Sequence, residues 1–353
     1  MGQECTRYGG EIMNYLFKIQ EKIVPEIISL AEERYTILRS IYYNQPIGRR
    51  LLAEKTTLSE RTIRNELNFL ETKGLVEVSR SGTVITRTGQ EFLNELDKYI
   101  KELKGLKNLE EEVKKVLGLK QVLLVPGGLE YSTIKQEIGR FTAKYLKGLL
   151  KDDDILAVTG GTTLAQVANA MRSTSNPMEV MVVPGRGGLG EEVEIQANTI
   201  AATIAKKIGG KYQLLHLPDN IKEENANRIV AEPSIQKTLN QLKKTNILLH
   251  GVGTAEEMAQ RRGMSPQQIK ALIDRGAIGE AFGYYFNEQG DIVYTTSSVG
   301  LHLNDLTNID TVIAVAGGQE KARAIKAVVS PDYQDILITD ELTARRILEL
   351  KGR

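Results

Sequence analysis

A chain of 353 residues, 41% hydrophobic and 26% charged, has the composition of an ordinary globular protein with room for two domains. A formal charge of +1 gives no case for nucleic acid from bulk charge, so any such case rests on a local patch. The one cysteine, Cys5, excludes an internal disulfide or a multi-cysteine zinc site and suits a reducing cytoplasm; no apolar run is long enough to cross a membrane, and no signal segment is present.

Residues 1 to 31 place Ile12, Leu16, Ile19 and Ile23 at helical spacing, with Pro25 interrupting before Ile27, Ile28 and Leu30. Arg34 to Tyr43 follows as a helix burying Ile37, Leu38 and Ile41. Pro46 to Lys55 reads as a short helix, with a tight turn through Thr56, Thr57 and Leu58. Next comes SERTIRNELNFLETKG, Ser59 to Gly74, where Ile63, Leu67 and Leu70 share an apolar side and Arg61, Arg64, Asn65 and Asn68 the opposite one. Ser59 suits the cap, Glu60 the positive end of the dipole and Gly74 a left-handed stop. An ordinary amphipathic surface helix would share this pattern. Two helices so closely joined, however, make a helix-turn-helix, and Leu75–Val78 and Thr83–Thr86 around Ser81-Gly82 add the hairpin wing of a winged helix. Arg and Asn carry the forked donors and acceptors that match guanine and adenine edges in a major groove. Eight basic residues against five acidic ones between Arg49 and Arg87 suit phosphate contacts. The expected contacts to double-stranded operator DNA are Arg49, Arg50, Ser59, Arg61, Thr62, Arg64, Asn65 and Asn68.

From Gly89 to Leu117 a charge-rich helical pattern carries Phe92, Leu93, Leu96, Ile100, Leu103, Leu109, Val113 and Val116 as its apolar stripe, with a break expected at Gly105. After Gly118, short apolar strands alternate with helices, each strand running into a glycine-rich loop. The expected strands are Gln121–Val125, Ile155–Thr159, Val180–Val183, Tyr212–Leu217, Asn246–His250, Thr311–Ala316 and Asp335–Thr339. That alternation predicts an α/β fold, a doubly wound, mostly parallel, Rossmann-like sheet with ligands at the carboxyl ends of its strands. The domains are then 1–90 (N-terminal helix and winged helix-turn-helix), 91–118 (helical linker) and 119–353 (effector binding and oligomerisation).

In VTGGTTL a buried strand turns through Gly160 and Gly161 into a helix start flanked by Thr162 and Thr163, an anion cradle of backbone amides and hydroxyls. A tight strand-to-helix turn is the plainer alternative. The spacing fits neither a dinucleotide fingerprint nor a P-loop. GGQEKA repeats the arrangement with Lys321 in the first helical turn, where a lysine opposes the dipole unless an anion is present. Arg186 sits in a glycine-flanked loop, where a buried structural ion pair is difficult to build, and Arg261 and Arg262 end the helix after Gly251-Val252-Gly253. At least one of that pair reads as a helix-end charge in solvent. Two such loops and several cations point to a ligand with two anionic groups, or one phosphate and a polar ring. Glu280, among small and apolar neighbours, is suited to hold sugar hydroxyls, to act as a base or to cap a turn. His216, His250 and His302 stand in or beside apolar runs as satisfied core residues, without metal-ligand spacing, and neither a metal nor a cofactor is expected.

PIGRR with LSERTIRNE, AVTGGTTL, VPGRGGLGE with QANTI, HGVG with MAQRRG, EAFGYYF and IAVAGGQEKA together resemble the sorbitol-operon-regulator family of bacterial transcription regulators, over nearly the whole chain, and most closely its branch that represses glycolytic operons. The resemblance implies an effector domain similar to sugar-phosphate isomerases and deaminases, a homotetramer built as a dimer of dimers, and a sugar-phosphate inducer, fructose 1,6-bisphosphate for that branch. Position by position it implies ligand contacts from Gly161, Thr162, Thr163, Arg186, Gln196, Arg261, Glu280 and Lys321, beside Gly160 from the cradle itself. The competing class is a sugar-phosphate enzyme with an appended DNA-binding domain. Related deaminases and lactonases carry Asp-Gly-His at the fourth loop, where this chain has Thr254-Ala255-Glu256-Glu257, so binding without turnover is expected. A third reading, a regulator of the same family answering to a nucleoside or polyol, differs only in effector.

Overall fold

The computed structural model describes residues 22–127, 131–188, 192–217, 232–296 and 299–350. Cys5, Ile12, Leu16 and Ile19 lie outside them. The chain divides into two compact units, one running to Leu109 and including Pro126–Thr133, the other made of Glu110–Val125 and the chain from Ile134 onward.

The first unit opens with α1, Pro25–Asn44. Lys22 and Ile23 are helical, the run breaks at Val24, and a new helix begins at Pro25, so the proline interrupts the helical pattern as expected and then starts this helix, where its missing N–H is not needed. Then follow α2, Arg49–Thr56, α3, Glu60–Thr72, and a hairpin of β1, Val76–Ser79, and β2, Gly82–Ile85. Tyr35, Ile37, Leu38, Ile41, Leu52, Ile63, Leu67, Leu70, Val76 and Ile85 form one core, completed by Leu93 and Ile100 of α4, Arg87–Leu103. The short helix begins at Arg49, not Pro46, because Ile47 is extended and exchanges backbone hydrogen bonds with Thr83 (3.1 and 2.8 Å), an isolated antiparallel bridge beside the wing. Gly105, at φ +60, breaks the helical run before α5, Leu106–Leu117.

In the second unit the elements run β3, Gln121–Val125; α6, Tyr131–Leu149; β4, Ile155–Val158; α7, Thr162–Ala170; β5, Met181–Pro184; α8, Ala197–Ile208; β6, Lys211–Tyr212; α9, Pro233–Leu242; and β7, Ile247–Gly251. They continue with β8, Gly253–Thr254; α10, Ala255–Arg261; α11, Pro266–Asp274; β9, Gly279–Ala281; β10, Tyr284–Phe286; β11, Ile292–Thr295; α12, Leu303–Leu306; β12, Thr311–Val315; α13, Ala322–Val328; β13, Ile336–Asp340; and α14, Glu341–Glu349. Seven strands pair in the order β3-β13-β12-β7-β4-β5-β6, every pairing parallel. This is the expected α/β, Rossmann-like fold. The runs that predicted these strands are Val, Ile, Leu and Ala because both faces of a parallel sheet are covered, and β4, β7, β12 and β13 are buried along almost their whole length.

Two departures are instructive. The strand expected over Tyr212–Leu217 is reduced to Lys211–Tyr212 at the sheet edge, because its one neighbour, β5, ends at Pro184, which has no N–H to extend the ladder. The expectation of a single mostly parallel sheet also omits a four-stranded antiparallel sheet, β11-β10-β9-β8.

Candidate functional site

On the first unit the polar side of α3 is open. Arg61, Arg64, Asn65 and Asn68 are exposed, as are Arg49 and Arg50 at the start of α2. Ser59 Oγ accepts the Thr62 amide at 3.0 Å and shares a hydrogen bond of 2.8 Å with Thr62 Oγ1, so these two hydroxyls are committed first to the cap. From behind, Arg34 of α1 meets Glu66 at 2.7 Å and stacks 3.6 Å from the centre of the Phe69 ring, fixing the helix without using its free face. Glu71 receives the Val78 amide at 3.3 Å and ties the end of α3 to the wing.

On the second unit, the carboxyl ends of β4, β5, β7 and β12 surround a cleft with about 100 Å³ of room for water-sized groups. A doubly wound sheet opens such a crevice where its strand order reverses, here between β4 and β7. All nine residues expected at the effector site line it: Gly160, Gly161, Thr162, Thr163, Arg186, Gln196, Arg261, Glu280 and Lys321.

The glycine pair acts differently from a cradle of bare amides. The Gly161 N–H donates to Ile195 O at 2.8 Å, and a Cβ on Gly160 would lie 2.9 Å from that same oxygen. These glycines let the segment before α8 come close, which brings Gln196 to the cleft. The anion-seeking groups are one step further on: α7 begins at Thr162 with no side chain capping it, so its first amides have no partner within the helix.

Gly318 likewise donates its amide to Asp340 Oδ2 at 2.9 Å and to Thr343 Oγ1 at 2.8 Å. The loop is thereby fixed to the end of β13. Lys321 stands in a 3-10 turn, Gln319–Lys321, just ahead of α13, and not in the first turn of the α-helix.

Arg186 is buried: its backbone bridges Gly300, and its guanidinium packs where a Cβ on Gly283 would sit. Glu280, on β9, is 3% exposed and accepts from Arg262 Nη2 at 2.7 Å and from the Gly283 amide at 2.5 Å. It is therefore a held carboxylate. Neither Arg261 nor Arg262 is a helix-end charge in solvent. Arg262 is bonded to Glu280, and Arg261 meets Glu257 at 3.9 Å and the Met258 sulfur at 3.7 Å.

His216 and His302 are exposed, the latter 3.2 Å from the Tyr284 hydroxyl, so only His250 is a core histidine. Even that one is incompletely satisfied, since Nδ1 meets Gly251 O at 3.0 Å and Nε2 has no partner among the described residues. Burial pushes its pKa down to about 4. Lys135, in the second turn of α6, had no sequence signal. Burial, and then the charge of Lys321, lower its ammonium pKa, with Glu257 and Glu320 opposing, so it belongs to the same charged group. Phe282, also lining the cleft, takes φ +56 beside Gly283 at φ +76, both residues of the tight β9–β10 turn at positive φ. Its ring lies 4.7 Å from that of His250. Among the described residues no His, Cys, Asp and Glu group could hold a metal, and no helix is long and apolar enough to cross a membrane.

Residues 101–349 match the family model described as a sugar-binding domain, and residues 30–100 that of the CggR N-terminal DNA binding domain. The chain is 43% identical over 338 residues to the central glycolytic genes regulator of Priestia megaterium, covering 95% of this chain and 99% of that one. It is 40% identical over 337 residues to the regulator of the same description from Bacillus subtilis, again covering 95% and 99%. A solved SorC family transcriptional regulator from Enterococcus faecalis is similar with a TM-score of 0.63 at 38% identity, over 68% of this chain and 99% of that one.

Proposed function

Because the chain belongs to the sugar-binding family of transcription regulators, alongside regulators of central glycolytic genes, we propose that it is a repressor of glycolytic operons that releases its operator on binding fructose 1,6-bisphosphate. It is a DNA-binding regulator and not an enzyme. The observation that carries the effector reading is the convergence of Arg186, Arg261 and Lys321, from three separate segments of the chain, on the cleft that also receives the uncapped start of α7. Such a site suits phosphate groups at two ends of a sugar. The α7 end, with Thr162 and Thr163, takes one phosphate, the Arg261–Lys321 end takes the other, and Gln196 and Glu280 face the sugar between. Turnover is disfavoured by the same geometry: Glu280, the carboxylate among the described lining residues, is already bound by Arg262 and Gly283.

On the DNA side, α3 enters the major groove of double-stranded operator with Arg61, Arg64, Asn65 and Asn68 toward base edges, while Arg49, Arg50, Ser59 and Thr62 serve the backbone. The working form is a cytoplasmic homotetramer, a dimer of dimers, as suits a two-fold symmetric operator. Exposed Ile27 and Leu30 on α1, with Ile23 just ahead of it, offer apolar surface for association.

The test is an operator-release titration by fluorescence anisotropy. Fructose 1,6-bisphosphate is expected to release the operator, and Lys321→Ala and Thr162→Val, singly, to require roughly ten- to a hundredfold more of it, each having lost one hydrogen bond to a charged group. Operator affinity without inducer is expected to stay unchanged, since an inducer acts only through its differential affinity for two states. Full release of either variant at the wild-type concentration would refute the role given to its loop.

A further inference from the structure

Glu257 does not line the cleft, yet it touches two residues that do. Its Oε2 is 3.4 Å from Lys321 Nζ and its Oε1 is 3.9 Å from Arg261 Nη1. Arg261 follows it by one turn on α10, while Lys321 arrives from the loop after β12, so one carboxylate joins cations carried by two different elements. The three differ in exposure: 43% for the Glu257 side chain against 20% for Arg261 and 11% for Lys321. Both contacts are longer than the 2.7–2.9 Å or so of a well-formed charge-assisted hydrogen bond. The carboxylate is spread between two partners and bonds neither fully. Lys135, whose ammonium senses Lys321, Glu257 and Arg261, adds a third cation to this corner.

Cations this sheltered require a counter-charge. We infer that Glu257 is an internal counter-ion, resting on the phosphate subsite of the effector-free chain and swung out to solvent when a phosphate arrives. This rests on the reading of the cleft as a sugar-phosphate site and adds to it a residue that opposes binding. A phosphate dianion brings more charge than the carboxylate and oxygens enough to meet Arg261 and Lys321 at full hydrogen-bond distance. A monoanionic carboxylate would only exchange like for like. Glu257 thereby sets a threshold, which a group carrying two charges passes more readily than a monoanion.

The test is calorimetric titration of the full chain with fructose 1,6-bisphosphate, comparing wild type with Glu257→Gln, Glu257→Ala, Lys321→Ala and Glu256→Gln. The last removes the same charge from an exposed neighbour that contacts neither cation in any pair described here. Glu257→Gln and Glu257→Ala are expected to bind two- to tenfold tighter, Lys321→Ala more weakly, and Glu256→Gln as wild type. Equal tightening by Glu256→Gln would reduce the effect to overall charge and overturn the proposal. Unchanged or weaker binding by both Glu257 variants, with Lys321→Ala still impaired, would overturn the counter-ion and leave the site standing. If none of the variants moves the affinity, the cleft is not the phosphate site and both readings fall.

Discussion

Arg64 was legible at the level of single letters, because the period of α3 divides its residues into a buried and an open side, and the structure keeps that division without exception for Ile63, Leu67, Leu70, Arg61, Arg64, Asn65 and Asn68. Arg64→Ala is expected to lose about 1–3 kcal/mol of specific operator affinity while effector binding stays intact. Gel-shift titrations at matched salt, on cognate and scrambled sequences, check it. His250 shows the opposite limit. Its apolar neighbours announced burial, but nothing in the sequence said that Nε2 would lack a partner. The unfolded chain takes up a proton on this ring below about pH 6.5, whereas the folded chain resists it down to about 4. The stability contributed by the neutral ring is therefore complete above about pH 6.5 and is lost progressively on acidification toward 4, by about 2 kcal/mol at pH 5. Urea midpoints at pH 7 and pH 5 should fall further apart in wild type than in His250→Gln. Phe282 was equally illegible: a bulky residue at positive φ costs on the order of 1–3 kcal/mol, and only the crossing of β9 into β10 shows why the chain turns there.

Long, strongly patterned elements were readable, and short ones were not. β3 coincides with its expected range, and β4, β7, β12 and β13 fall within one or two residues of theirs. The antiparallel β8–β11 sheet was missed because its strands are two to four residues long, too short for a period of two to declare itself. That omission obscured how Glu280 is held. The fixing of the second glycine loop was likewise hidden, since it depends on Asp340, at the far end of β13. One carboxylate takes the Gly318 amide on Oδ2 and caps α14 through the Thr343 amide on Oδ1, at 2.9 Å each. Gly317 is glycine because a Cβ there would come within 2.6 Å of Asp340 Oδ2. Asp340→Ala leaves buried amides poorly satisfied and is expected to cost about 1–3 kcal/mol of stability, and to weaken effector binding by releasing the turn that carries Lys321. Chemical denaturation and effector titration read the two effects separately. Intact effector affinity in a destabilised protein would show that Lys321 is placed by something else.

At the scale of the whole chain, the change of texture after Gly118 marked the start of the parallel sheet but not the helix that supports it. Glu110, on α5, accepts the Leu124 amide of β3 at 2.8 Å, and α5 buries Leu106, Leu109, Val113 and Leu117. A fragment from residue 106 to the end is therefore expected to fold, bind fructose 1,6-bisphosphate without turnover, and unfold at a higher urea midpoint than one beginning at residue 119. Equal midpoints would make α5 a connector only.

The edge position of β3 also bears on how the chain is made. β3 is the first strand of the parallel sheet to leave the ribosome, and its one partner, β13, is the last. At a synthesis rate of about 5–20 residues per second, the two are separated by roughly 10–40 seconds. The apolar residues of the winged unit's core all lie upstream of β3. A newborn chain can thus complete its DNA-reading part while its sheet still lacks the strand that closes the edge and carries Asp340. Before that moment the effector loop ending at Lys321 has no anchor, so the DNA-reading core can fold before the effector cleft is complete.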